Sequence, residues 1–412
     1  MDNVAGSPVE GENFHDREAD VKRLREILDN DDILLLGARR IGKTSIARAV
    51  MTAVRSEGWR AIEINVASCQ DEHCFLGKLD AALTPELASF TEKAKALIGD
   101  GLDTLTSRIQ SVKVSLPGMA DLDVAVGGSA TEDWTHVAND VLRLISRVDQ
   151  NQRWLIYVDE LPIMLFNIIR VDPQNGVQRV RRFLDWFRND VRALPEVRTL
   201  RWLVSGSVGL DTLVQQHGIA DTINSMKHEG LEPFSEAVAI SMLGKLATRY
   251  AMTFSDDDAR SMIAAVVWTQ PYYLQLAFNN LRSLMAAKPQ SAPGVLIEEA
   301  IEKLILPGGD NDFHHWEGRL TIQLAPADAS HCLALLTQAA QTTIGASADN
   351  LFAELQGRMP NATAEESKHV FVTLRDILQR DAYWWPDESS GHKRYRFRLE
   401  PLRRWWLRRN SL

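Results

Sequence analysis

The stretch Ile33–Ala47, ILLLGARRIGKTSIA, constrains this chain more than any other. Its four apolar residues Ile33–Leu36 read as a short buried strand. Gly37, Gly42, Lys43 and Thr44 then fall in the spacing G-x-x-x-x-G-K-[ST], and Ser45–Val54 continues with helix-compatible residues. A strand, a glycine-bounded loop and a helix start are the context that a phosphate-binding loop requires. Glycines let backbone N–H groups turn inward toward an anion, and the helix points its positive dipole end at the same spot. The spacing predicts a bound nucleoside triphosphate on Gly37, Ala38, Arg39, Arg40, Ile41, Gly42, Lys43, Thr44 and Ser45. Lys43 would reach the β- and γ-phosphates, and the Thr44 hydroxyl would bind Mg²⁺. Arg39 and Arg40 have two readings, a phosphate contact or a solvated charge. A plain glycine turn would leave Lys43 and Thr44 without a reason.

A second constellation points the same way. Trp154–Val158 (WLIYV) is a wholly apolar strand that ends in Asp159-Glu160. An acid at the end of such a strand, Asp159, is placed to hold Mg²⁺ opposite Thr44. The next acid, Glu160, is the candidate general base that polarises the attacking water. Arg201–Val204 is a further strand, and Ser207 just beyond it is the candidate γ-phosphate sensor, with Ser205 as the alternative. A trans-acting arginine is sought among Arg170, Arg179, Arg181 and Arg182. Cys69 and Cys74 flank His73, but no fourth ligand with sensible spacing completes a metal site.

Strands alternating with helices up to about residue 233 imply a parallel sheet with helices on both faces, an α/β fold. Within this core, 1–234, residues 1–12 read as a flexible tip, Leu87–Leu105 as a helix and residues near 112–126 as an inserted β-hairpin. From 235 to 306 the signal is helical throughout and predicts a lid. A break at Pro307–Asp310 opens a connector over 307–324. Residues 325–412 carry three helical segments followed by two short strands, the order of a winged helix. No apolar run approaches the length of a membrane span, and the three cysteines make no disulfide framework, which points to a reducing cytoplasm.

Charge is uneven. On a chain of net charge −9, the residues from Ser390 onward carry eight Lys/Arg against the single acid Glu400. This basic, aromatic end has two readings: a grip on DNA backbone, or a packed helix whose arginines pair with acids of the body.

These motifs together resemble the STAND-type branch of AAA+ ATPases, the archaeal-type ATPases of bacteria and archaea. FHDREADVKRL resembles that family's opening F-x-G-R-E-x-E-L-x-x-L, with Asp16 in place of glycine. GARRIGKTSI resembles its Walker A motif, WLIYVDELP its Walker B motif and LRWLVSGSVGL its sensor strand. TQPYYLQL resembles a G-H-P-Y-Y-L-Q element, with Thr269 and Gln270 replacing Gly and His and Pro271 retained. The resemblance implies adenine packing on Pro271, ATP and Mg²⁺ as cofactors, and slow ATP hydrolysis. It implies a switch whose nucleotide state governs lid, winged helix and engagement of a protein partner or a second copy. Origin-initiator or transposition-regulator behaviour, with ATP controlling DNA binding, is the alternative, and a non-hydrolysing scaffold is the third reading.

Overall fold

A computed structural model describes residues 1–88, 133–148, 151–191, 194, 198–206, 209–388 and 391–410. The expected hairpin near 112–126, most of the expected helix Leu87–Leu105 and Ser207 lie outside the described residues. The chain divides into two compact units. One, the sheet unit, is Arg17–Gly37 with Lys43–Leu231. The other, the helical unit, is Met1–Asp16, Ala38–Gly42 and Glu232–Leu412.

The sheet unit holds five parallel strands: β1 Ile33–Leu36, β2 Arg60–Asn65, β3 Trp154–Asp159, β4 Leu200–Ser205 and β5 Lys227–Gly230. Their order is β2-β3-β4-β1-β5. All six residues of β3 are buried, as a strand covered on both faces demands. β5, KHEG, is a polar edge strand, so its exposed side chains carry no apolar signal. Reading the last strand from the sequence therefore places it three residues late, at Gly230–Pro233.

Between the strands run α1 Glu18–Ile27, α2 Lys43–Ser56, α3 Glu72–Ala88, α4 Trp134–Val148, α5 Leu161–Val171, α6 Gly176–Asp185 and α7 Leu210–Gln216. The amphipathic sequence that starts at Val177 lies in α6, which is followed by a π-helical turn, Trp186–Asp190. That turn belongs to an aromatic cluster in which Phe75, Phe183, Trp186, Phe187 and Trp202 meet edge to face, all fully buried or nearly so.

The turn between β2 and α3 corrects one expectation. Cys69 and Cys74 are joined by a disulfide, their Cα atoms 5.4 Å apart. A five-residue spacing at a turn brings two cysteines to bonding distance without any wider framework. Cys332 is a buried free thiol.

The helical unit contains α8 Glu236–Arg249, α9 Asp256–Val266, α10 Pro271–Ala287, α11 Pro293–Ile305 and α12 Asn311–Gln323. Then follow α13 Pro326–Ala340, β6 Ala346–Ser347, α14 Ala348–Arg358, α15 Ala364–Arg380, β7 Trp384–Asp387, β8 Arg394–Phe397 and α16 Glu400–Asn410. The last three strands form an antiparallel sheet, β6-β8-β7. Three helices and a hairpin thus follow one another as expected. α12 fills the stretch read as a connector, because Pro307 and the glycines break only the residues before it. Among the described residues no helix is long and apolar enough to cross a membrane.

The first residues are not a free tip. Asp2 pairs with Arg249 (2.6 Å), the Asn3 amide N–H donates to the Tyr250 hydroxyl (3.0 Å), and Asn3 Nδ2 donates to the Gln275 carbonyl (3.0 Å). Polar, glycine-containing sequence reads as loose, yet here Asp2 and Asn3 find partners far along the chain.

At the other end, α16 packs through Trp405 and Trp406, both buried. Its basic residues pair inside the unit: Arg404 with Glu298 of α11, Arg408 with Glu302 (3.5 Å) and Arg409 with Glu317 of α12 (2.7 Å). Arg403 makes a bidentate pair with Glu400 (2.7 and 2.8 Å) and also donates to the Ala340 carbonyl. Burial alone would raise the Glu400 carboxyl, but bonds from Arg403 and Arg404 outweigh it and hold the group below its usual value. A folded value below the unfolded one gives stability that is complete above the unfolded value and drains away as pH falls through the folded one. Glu400→Gln is therefore expected to cost about 3 kcal/mol at pH 7, the cost of breaking a buried pair. The gap to the unsubstituted protein should narrow as the pH falls below about 4. Urea unfolding across pH measures it; a gap that stays constant with pH would show that the charge of Glu400 does not matter.

Candidate functional site

The site begins where β1 stops. Leu36 ends the strand, and the chain turns through Gly37 (φ 151°), Arg40 (φ 69°) and Gly42 (φ 104°) before α2 starts at Lys43. Three left-handed residues in six make a loop whose N–H groups converge. Two of the three are glycines, which adopt such angles without steric cost; Arg40 does not have that freedom. Ala38 and Ile41 are buried and anchor the loop, and the Ile41 N–H donates to the Ala38 carbonyl (3.3 Å). Ser45 is buried in the first turn of α2, while Gly42 is exposed. The Lys43 ammonium, itself only 8% exposed, donates to the Gly37 carbonyl (2.8 Å) and so closes the loop upon itself.

In the sheet unit, three sequence-distant elements meet at the carboxyl ends of the strands. The Thr44 hydroxyl at the start of α2 donates to Asp159 Oδ2 at the end of β3, 3.1 Å away. Ser205 at the end of β4 donates to the other oxygen, Oδ1. The Tyr157 hydroxyl lies 3.1 Å from Ser205 Oγ, and since the serine proton goes to Asp159, the phenol supplies the donor there. Tyr157 stays protonated: burial pushes its phenol up, and the charge of Asp159 adds to the effect. β4 lies between β1 and β3, with Leu35 opposite Ser205, so a serine at the end of β4 reaches Asp159 directly. Ligands of open α/β sheets bind at this end of the strands, where the strand order reverses.

Glu160, next after Asp159, holds φ 60°. A non-glycine residue in this region stores strain, of order 1–3 kcal/mol, and such residues gather at working sites. It turns the chain sharply into α5. Of the four candidate trans-acting arginines, Arg179 is held by Glu72 (2.5 Å) and Asp172 (3.4 Å), Arg181 by Asp221 (3.1 Å) and Arg182 by Asp133; Arg170 is exposed.

In the helical unit, the loop residues Ala38–Gly42 lie with the first turn of α10. Gln270, wholly buried, precedes Pro271 and donates from Nε2 to the Arg39 carbonyl (3.2 Å). Thr269 bonds Phe234 twice, through its hydroxyl (2.5 Å) and its carbonyl (3.2 Å). Gln270 and Thr269 are the two positions where this chain departs from the G-H-P pattern, and both have specific partners. Asp16, the other departure, has φ 50°. The glycine of the resembling motif is thus replaced at a left-handed position, where Asp is among the better-tolerated side chains.

Ser207, the candidate sensor after β4, lies outside the described residues. Ser205, the alternative, is the last residue of a buried strand that pairs with both β1 and β3. The Arg40 guanidinium is turned to Asp312 (3.2 Å), a partner that no local pattern announces.

Mg²⁺ prefers oxygen ligands and keeps several from water and phosphate, so one hydroxyl and one carboxylate suffice from the protein. Thr44 and Asp159 present those two oxygens 3.1 Å apart, and the donor set fits the ion. Among the described residues no group of three or more His, Cys, Asp or Glu gathers to bind a metal.

The fold is shared with solved structures across nearly the whole chain. A Walker-type ATPase of Pyrococcus abyssi matches with a TM-score of 0.62 and 14% identity, over 98% of this chain and 99% of that one. The ORC2 protein of Aeropyrum pernix, in its ADPNP–ADP complexes, matches with a TM-score of 0.56 and 14% identity, over 97% of this chain and 95% of that one. The architecture is accordingly an α/β fold shared with those two proteins. No protein-family model matches the sequence, and no curated protein does.

Ser205→Ala removes one donor from a carboxylate that is 6% exposed. The expected loss is about 1–3 kcal/mol, the cost of leaving a buried acceptor short of a partner. Guanidinium unfolding would read it, and an unchanged midpoint would show that Asp159 does not depend on the serine.

Proposed function

We propose that this chain is an ATP-binding, slowly hydrolysing switch of the STAND/AAA+ kind. The observation that carries the reading is the bond from Thr44 to Asp159: residues 115 apart in sequence, from the two motifs that the chemistry requires, share one bond at the strand ends. The shared fold of nucleotide-bound ORC2 supports it, since that protein was solved with ADPNP and ADP.

The reaction is attack of water on the γ-phosphorus of ATP. A bond forms from the water oxygen to phosphorus, and the bond to the β–γ bridging oxygen breaks. Lys43 would leave the Gly37 carbonyl for the phosphates and neutralise charge there. Thr44 and Asp159 would hold Mg²⁺, which when bound neutralises charge on the β- and γ-phosphates. Glu160 orients the water and takes its proton. Ser205 and Tyr157 hold Asp159 in place, and Pro271 is the proposed adenine contact carried over from the resemblance. Localisation in the cytoplasm belongs to the same reading.

As a switch, the protein must bind nucleotide differently in its two states. Moving a state from 1% to 99% takes roughly 5.5 kcal/mol of differential affinity. Loss of γ-phosphate contacts together with a protein partner or a second copy would supply it; ATP held equally in both states would not.

Duplex DNA is the weaker candidate for the output. The arginines of α16 pair with acids of their own unit, as described above. α15, the third helix of the winged-helix order, begins with Glu365 and Glu366. Acids at the start of a recognition helix would face phosphates and be repelled. The β7–β8 hairpin, with Lys393, Arg394 and Arg396, presents basic residues to that role.

Three outcomes are expected. Lys43→Ala should weaken ATP binding by about 10- to 100-fold, the worth of a charge-assisted contact. Glu160→Gln should retain binding and lower phosphate release by about 10²–10⁴-fold. Calorimetric titration and a phosphate-release assay measure these, and a Glu160→Gln protein that turns over normally would remove that residue from the mechanism. In fluorescence anisotropy against a labelled duplex, Arg394→Glu with Arg396→Glu should make no more than a two- to threefold difference at physiological salt. Tight, salt-dependent binding lost in that variant would reinstate the DNA-controlled reading.

A further inference from the structure

The phosphate loop is held from outside by groups that its own chemistry does not need. Arg40 is the centre. Its Nη1 donates to the Gly6 carbonyl (3.1 Å) and its Nη2 meets Asp312 Oδ1 (3.2 Å) on α12. The guanidinium also lies over the Tyr272 ring, 4.5 Å from the centroid. The Tyr272 hydroxyl donates to the second oxygen of Asp312, so both oxygens of that carboxylate are engaged. Burial pushes the Tyr272 phenol up and its bond to Asp312 adds to this, which keeps the phenol a donor. Gln270 holds the neighbouring residue by the Arg39 carbonyl. Three elements, the N-terminal segment, the first turn of α10 and the first turn of α12, thus grip two adjacent loop residues.

α12 is itself tied to the C-terminal elements of the same unit. Phe313 stacks on Tyr273, with 6.0 Å between centroids and 15° between planes, and contacts Trp405 of α16. Trp316 Nε1 donates to the Tyr273 hydroxyl (2.7 Å), and the Tyr383 hydroxyl donates to the Trp316 carbonyl (2.6 Å). A change at Asp312 is therefore felt at the wing-side residue Tyr383 and at the terminal helix through packed aromatic side chains, not through a mobile linker.

We propose that Arg40 is a positioning residue: through Asp312 it couples the conformation of the phosphate loop to α12, so that nucleotide binding and the state of the C-terminal elements report on one another. This inference rests on the ATP-binding reading. Arg40 does not act on the phosphates; it fixes the backbone whose N–H groups would receive them. A loop already held in its turn loses less freedom when it binds, and so binds more tightly. Coupling of this kind is reciprocal: whatever factor the Arg40–Asp312 pair contributes to ATP affinity, ATP contributes to the pair.

The test uses the full chain and four proteins: unsubstituted, Asp312→Asn, Arg40→Ala and the double variant, with Tyr272→Phe as a milder change in the same cluster. ATP affinity is measured by titration, and amide hydrogen exchange of residues 311–323 is followed with and without ATP. Each single substitution is expected to weaken ATP binding by about 5- to 30-fold, within the usual range of coupling energies. The double variant should be no weaker than either single one, because both remove the same tie. Tyr272→Phe should cost about 2- to 5-fold, as loss of one neutral donor does. ATP should slow exchange over 311–323 in the unsubstituted protein and fail to do so in Asp312→Asn, a difference that a purely structural role for Asp312 would not make. Additive losses, or Asp312→Asn with unaltered affinity and an unaltered ATP effect on exchange, would overturn the coupling while leaving ATP binding standing. An unsubstituted protein that binds no ATP would overturn the functional reading and the coupling together.

Discussion

A carboxylate taken out of water must be given donors, and Asp159 is the carboxylate around which this molecule is arranged. It closes the most deeply buried strand. Its two oxygens draw on Thr44 from the start of α2 and on Ser205 from the end of β4, with Tyr157 behind the serine. An unpaired ion in that position would cost several kcal/mol, so the fold is stable only when the ends of β3 and β4 and the first turn of α2 arrive in register. The same condition brings together Lys43, Thr44 and Asp159, the residues on which the proposed function rests. Packing and chemistry make one demand here, and the strand order β2-β3-β4-β1-β5 is a way of meeting it.

What was legible in the sequence follows from the range of the signal. β1 is found at the expected residues, and β2, β3 and β4 each within a residue of expectation at either end, because a buried parallel strand is a short apolar run between polar ends. The turn from β1 into α2 was legible because its residues are covalent neighbours at fixed spacing. The helices α8 to α11 fall within the stretch 235–306 read as helical, with proline or serine at their starts. β5 was misplaced because an exposed edge strand has nothing to bury. α5 was not foreseen, since Leu161–Val171 is so apolar that it shows no polar face to set a period. The partners of Arg40, Asn3 and Ser205 were invisible for a different reason: each is a tie between residues far apart, and no local pattern encodes the far end.

The basic end of the chain left two readings open, because eight Lys/Arg against one acid fit either a polyanion outside the protein or acids on its own body. Most of those of α16 meet acids set on α11 and α12, one helical turn after another: Glu298 and Glu302 are four residues apart, as are Arg404 and Arg408. Two helices with matched four-residue spacing form a charge ladder, and tryptophans on the inner face of α16 seal it. The net charge of the ladder is small although each rail is strongly charged. Exposed pairs of this kind add little to stability individually, and their effect is to set which helix meets which.

The docking of the N-terminal segment has a consequence for how the molecule is made. Asn3 pairs with a residue 247 positions later, and Arg40 with one 272 positions later. At roughly 5–20 residues per second, a nascent chain would wait on the order of ten seconds to a minute before those partners leave the ribosome. During that interval the phosphate loop can form its own turn but lacks its outer ties. The grip on Arg40 is therefore a late event, and the order in which the chain is born lets the loop appear well before its outer ties.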